Sequence, residues 1–134
     1  MITHIDLPIE GHDDVVLVRR RVRALAHDRG LDTFATAAIT TAASELARNI
    51  VIYAHRGTAA IDEISDGVRF GLRLAFRDQG PGIADLQRVL LGGYSTGKSL
   101  GLGLSGSKRL VDEFEVDSAV GRGTTVTVIK WKRF

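Results

Sequence analysis

Apolar and polar positions alternate most regularly between Val68 and Asp78. Val68, Phe70, Leu72, Leu74 and Phe76 are apolar, whereas Arg69, Gly71, Arg73, Ala75 and Arg77 are polar or small. A two-residue period of this kind predicts a strand with one buried face and one wet face, as in an antiparallel sheet covered on one side. Asp66-Gly67 before it is a hairpin-turn pair, so residues 58–66 are predicted to be its partner strand. Residues 2–9 alternate partly and read as a short strand ended by Pro8. Two strands around Gly121-Arg122-Gly123 are predicted at the end of the chain.

Elsewhere the period lengthens to that of a helix. Val15, Val18, Val22 and Leu25 follow three-and-four spacing, with Asp13 or Asp14 as the expected cap and Gly30 as the left-handed residue at the end. Asp32 or Thr33 is expected to open a second helix that runs to Gly57 and buries Ile39, Ala42, Leu46, Ile50 and Tyr53. Residues 84–91 suit about two turns of helix, and 104–114 a third long one. The expected fold is α+β, a two-layer sandwich. About three helices cover one face of a mixed, mostly antiparallel sheet, within one domain spanning 1–134.

Composition narrows the function. The 134 residues include no cysteine, which excludes disulfides and thiolate metal sites, and the four histidines fall at no metal-ligand spacing. A net charge of +2 and 6% aromatics argue against a nucleic-acid partner. The basic run Arg19-Arg20-Arg21-Val22-Arg23 reads as a solvated helix face. No apolar run reaches the roughly 18 residues of a membrane span, and the N-terminus lacks the plan of a signal peptide. A cytoplasmic protein that engages no membrane is expected.

More than half of the chain's 15 glycines lie between Asp78 and Gly106. Glycine in such density marks backbone that approaches something closely or moves, and phosphate is the usual target. Gly92-x-x-x-x-Gly97-Lys98-Ser99 spells a phosphate loop. That motif requires a strand before it and a helix starting at its Lys-Ser. Residues 85–91 read as helix instead, and Leu100-Gly101-Leu102-Gly103 is a poor helix opening, so the match is read as coincidence. The segment from Ala84 to Leu100 is read as a hinged lid whose far end, Gly101-x-Gly103, meets phosphate at a helix N-terminus. Two further features complete the set. Thr41, Glu45 and Asn49 stack at four-residue spacing on one face of the second helix. Asp78 continues the buried parity of its strand, where a carboxylate needs hydrogen-bond partners. It suits either a turn cap or the floor of a pocket.

Glu45-x-x-x-Asn49, Asp78-x-Gly80-x-Gly82, Gly101-x-Gly103 and Gly123-Thr124, in that order, resemble the Bergerat ATP-binding fold. SELARNIVIYA, DQGPGI, STGKSLGLGL, KRLVDEF and GRGTTV further resemble the anti-sigma-factor serine kinases, above all the RsbT-type switch-protein kinases. The resemblance implies an ATP-dependent kinase for a serine on a STAS-domain antagonist protein, which also activates a regulatory phosphatase once released. It implies that Glu45 is the general base and that Asn49 holds Mg²⁺. Asp78 would accept from the adenine amino group, with Gly80 and Gly82 letting the backbone pass close to the base and Thr124 supporting Asp78 or adenine. Gly101 and Gly103 would offer N–H groups to the phosphates, and Lys98 positive charge. The alternative implied by the same fold is an anti-sigma factor whose main task is to sequester a sigma factor. The lid is more basic than the group's Ser/Gly-rich form, and Ser105 stands where Pro would be unsurprising.

Overall fold

A computed structural model describes residues 3–83 and 100–132. The element order is β1 (His4–Ile9), α1 (His12–Asp28), α2 (Thr33–Asn49), a π-helical turn (Ile50–Ala54), β2 (Gly57–Ser65), β3 (Phe70–Asp78), α3 (Leu100–Leu110), β4 (Glu113–Ala119) and β5 (Gly123–Trp131). The five strands form one sheet in the order β1-β2-β3-β5-β4. All four pairings are antiparallel, where a mixed sheet was expected. Connectivity explains this. Parallel neighbours need a single crossover that carries the chain back to its starting end. Here β1 and β2 are separated by two helices, and β3 and β5 by a helix plus a strand, each of which returns the chain reversed.

The alternation in β3 is realised for its long side chains, with Leu72, Leu74 and Phe76 buried and Arg73 and Arg77 exposed, whereas the small Gly71 and Ala75 of the outer phase are buried as well. Val68 breaks the expectation at 82% exposure because it lies in the β2–β3 turn, before the strand begins. Ile9, Ile61, Leu72, Leu74, Phe76 and Val128 supply the sheet side of one core, and Val18, Val22, Ile39 and Leu46 the helix side. Helix α2 packs against both α1 and α3. Within the core Glu63 is nearly inaccessible and takes two partners, the Thr3 amide at 2.9 Å and the Arg29 guanidinium.

Boundaries differ where local capping or packing decides them. The N-cap of α1 is Gly11, and Asp14 reaches back from the first turn to accept from the Glu10 amide at 2.8 Å. Asp32 does cap α2, accepting from the Ala35 amide at 2.7 Å. The α-helical part of α2 stops at Asn49, and the wider π turn takes the chain to His55, whose φ of 72° lies in the left-handed region. Strand β1 passes through Pro8 to Ile9, as an edge strand permits. Helix α3 opens at Leu100 and closes at Leu110, four residues early at each end. Packing on α2 overrides the weak helix propensity of its glycines, and Asp112 accepts from the Trp131 amide at 2.7 Å as the chain turns into β4. The helix expected at 84–91 and the lid with Lys98 lie outside the described residues.

Candidate functional site

Four of the nine expected site residues meet at one corner, where β3 ends. Asp78 and Thr124 are cross-strand partners in the β3–β5 ladder. One oxygen of Asp78 accepts from the Gly80 amide at 2.8 Å, which is the turn-capping bond expected of an aspartate there. Among the described residues its other oxygen has no hydrogen-bond partner. Asp78 is therefore half-buried with one oxygen engaged in the turn and one left to accept from a ligand.

The glycines are held close to the protein's own chain. A side chain on Gly80 would strike Ala54 in the π turn at 2.7 Å. Gly82 sits at φ +78°, and a Cβ there would come within 2.1 Å of the Ala119 carbonyl oxygen. Two hydrogen bonds fasten this loop to the β4–β5 hairpin, from the Gly121 amide to the Pro81 carbonyl at 2.9 Å and from the Ile83 amide to Ser118 Oγ at 2.9 Å. Ser118 also lies 2.7 Å from the Thr124 hydroxyl and 3.2 Å from the Gly123 carbonyl. Thr124 thus engages Ser118 through its hydroxyl, and no side-chain hydrogen bond joins it to Asp78 among the described residues. Asp78, Gln79, Ser118, Gly123 and Thr124 line part of a small depression of about 80 Å³ at this corner. The sequence reading missed Ser118. Its one signal is parity: Ser118 shares the inward phase of Phe114 and Val116, so a polar residue there needs a partner.

Glu45 and Asn49 lie one turn apart at the end of α2, which packs on β3 and on α3. Glu45 is one-third exposed and bonded to Arg48 at 2.9 Å. The Nδ2 atom of Asn49 is buried and, among the described residues, has no hydrogen-bond partner. That nitrogen is a donor, which a phosphate oxygen would satisfy and a cation would not, so any metal would be met by the amide oxygen instead. An amide beside a carboxylate, in a site that would also hold phosphate oxygens, suits a hard cation such as Mg²⁺, which takes few protein ligands and keeps its water. The residues present therefore fit the ion. Among the described residues no cluster of three or more His, Cys, Asp or Glu could hold a metal by itself.

Gly101 and Gly103 fall in the first turn of α3. There the backbone N–H groups lack intrahelical acceptors, and the helix dipole favours an anion. This helix packs along α2, so its glycine-bearing first turn and the Glu45–Asn49 face sit on neighbouring helices.

The histidine kinase-like ATPase domain family matches residues 11–130. The chain belongs to this family. Its serine/threonine-protein kinase relative RsbT from Bacillus subtilis is 47% identical over 120 residues, covering 90% of each chain. The protein is accordingly an enzyme that uses ATP, a kinase of the serine/threonine-protein type. Solved structures agree on the fold. A Mycobacterium tuberculosis protein with RsbU and RsbW domains matches the whole chain with a TM-score of 0.67 at 23% identity, this chain spanning 33% of it. The mycobacterial sensor histidine kinase MprB matches with a TM-score of 0.58 at 18% identity, over 99% of each chain. At such identities these two likenesses speak for the fold alone.

Proposed function

We propose that this kinase phosphorylates a serine on a STAS-domain antagonist protein, acting as one domain in the cytoplasm. Release from the antagonist then lets it activate a regulatory phosphatase. The observation that carries the phosphotransfer reading is the Glu45–Asn49 carboxylate–amide pair one turn apart at the end of α2, in a chain 47% identical to RsbT.

In this mechanism Asp78 accepts from the adenine amino group through the oxygen that Gly80 leaves open. Gly80 and Gly82 let the loop close onto the π turn and the β4–β5 hairpin so that its backbone can pass the base, and Thr124, oriented by Ser118, supports the Asp78 corner. The Gly101 and Gly103 amides bind the phosphates, with Lys98 adding positive charge. Asn49 would hold Mg²⁺ through its amide oxygen, and the charge neutralisation such an ion supplies would act on the phosphates. Glu45 takes the proton from the serine hydroxyl as its oxygen attacks the γ-phosphorus, and the bond to the ADP oxygen breaks. Arg48 fixes the carboxylate until the hydroxyl arrives.

The test is transfer of labelled phosphate from ATP to STAS-domain proteins encoded nearby, alongside a sigma-factor pull-down from the same preparation. Labelling of a STAS serine without sigma capture is expected. Sigma capture without labelling would replace this reading with that of an anti-sigma factor that works by sequestration.

A further inference from the structure

A sizeable groove lies away from the nucleotide corner, on the outer side of the α1–α2 pair. Its volume is about 920 Å³, and Arg19, Arg20 and Arg23 of α1 line one wall. All three are exposed, and among the described residues none has an ion-pair partner. His27 continues the wall one turn on, and the one carboxylate in the lining is Asp28, 3.7 Å from His27. Three arginines against one aspartate concentrate here as much excess positive charge as the whole chain carries.

The opposite wall is different in kind. Thr33 and Thr41 are exposed and present hydroxyls, whereas Thr36 donates to the Leu31 carbonyl at 3.2 Å and the Thr40 hydroxyl oxygen is buried below the surface. Ala24, Leu31 and Ala37 supply apolar patches between the polar groups. Phe34, 90% exposed, stands three residues before Ala37 on the same side of α2. A bare cationic stripe would suit any polyanion. A groove that joins cations, hydroxyls, small apolar patches and a flanking aromatic suits a peptide with carboxylates and apolar side chains.

We infer that the α1–α2 groove docks an acidic, partly apolar segment of the protein substrate. The inference rests on the reading of the chain as a kinase for a protein. Thr41 lines the groove one turn before Glu45, so a segment lying along α2 leads toward the base. Docking here raises the local concentration of the substrate serine near Glu45 without using any residue of the nucleotide site.

Random peptides displayed on phage and selected on the immobilised full chain, without ATP, test the groove directly. The selected peptides are expected to be enriched in Asp and Glu. They should bind R19E/R20E/R23E at least about tenfold more weakly, with a weaker dependence on salt. These arginines are exposed, so the variant should keep the wild-type melting temperature and ATP affinity. A milder R19Q/R20Q/R23Q variant covers the case in which charge reversal impairs folding. Peptides without acidic enrichment, or acidic peptides that bind the variants equally well, would overturn the docking site. Displacement of the peptides by duplex DNA at equal charge concentration would overturn the choice of a protein occupant. Since ATP is left out, failure here is separate from failure of the phosphotransfer assay.

Discussion

Asn49 and Glu45 occupy one helix face and face opposite constraints. Burying an amide N–H without an acceptor destabilises the folded chain, and alanine is also the better helix former. Asn49→Ala is therefore expected to melt no lower than the wild type while losing Mg²⁺-dependent phosphotransfer. A clear fall in melting temperature would show that the amide is structural. Glu45 is half a solvent group with an Arg48 partner, and its removal should leave the nucleotide corner untouched. Glu45→Ala should keep ATP affinity within about twofold and lower the transfer rate by about 10²–10⁴-fold, the usual worth of a general base. Asp78→Asn should do the reverse. Its amide oxygen can still accept from Gly80, so the turn survives. A ligand hydrogen bond to a charged group, worth about 1.5–3 kcal/mol, is lost, which weakens ATP binding roughly ten- to a hundredfold. Titration with a fluorescent ATP analogue and single-turnover transfer separate these outcomes.

At the scale of elements, the site depends on how the β3 loop is pinned to the β4–β5 hairpin and the π turn. A π turn is a rare insertion that often sits at functional sites. Here it widens the end of α2 so that Ala54 abuts Gly80. Gly82 and Gly121 make a matched pair for testing this packing. Both have positive φ, but a Cβ on Gly82 meets the Ala119 carbonyl whereas one on Gly121 meets nothing within 4 Å. Gly121→Ala should cost only the left-handed backbone penalty of about 1–2 kcal/mol. Gly82→Ala should cost clearly more in urea unfolding and weaken ATP binding, because the loop must move to relieve the clash. Equal costs would mean that the loop gives way freely.

For the whole molecule, two polar tethers on β1 and β2 set how stability responds to pH. Burial disfavours the ionised form of Glu63, yet the Thr3 amide and Arg29 outweigh it and hold its carboxyl below the usual range. Its contribution is present above the ordinary value of 4.5 and is lost as pH falls through the lowered pKa. His4, bonded first to Asp62 and then to Asp6, has its pKa raised. That contribution is complete below the ordinary 6.5 and is lost as pH rises through the raised value. Melting temperature should therefore be highest between about 4.5 and 6.5 as far as these two groups govern it. Glu63→Gln should flatten the acid limb and His4→Asn the alkaline one. A His4→Asn curve parallel to the wild type above pH 6.5 would exclude the imidazolium clamp.

The sheet hairpins, the two long helices and the Asp32 cap were legible because each rests on local rules: a period of two, a period of 3.6 and turn chemistry. The Glu45–Asn49 and Asp78–Gly82 boxes were legible for the same reason, since each lies within one short segment. What neighbours decide was not legible. Nothing in SELARNIVIYA announces that the α-helix ends at Asn49, because the π turn is fixed by packing against β3. Ser118 gains meaning only when Ile83, from the loop after β3, and Thr124, from β5, arrive beside it. The early start of α3 likewise depends on its contact with α2. By itself, then, the sequence determined the elements, the faces they bury and the family of chemistry they serve. Tertiary structure alone decided that the five described strands pair antiparallel throughout, that the Asn49 amide nitrogen is buried with no partner among the described residues, and that a basic groove opens on the outer side of the helix pair. Those three depend on contacts between segments far apart in the chain, and a local pattern carries no record of them.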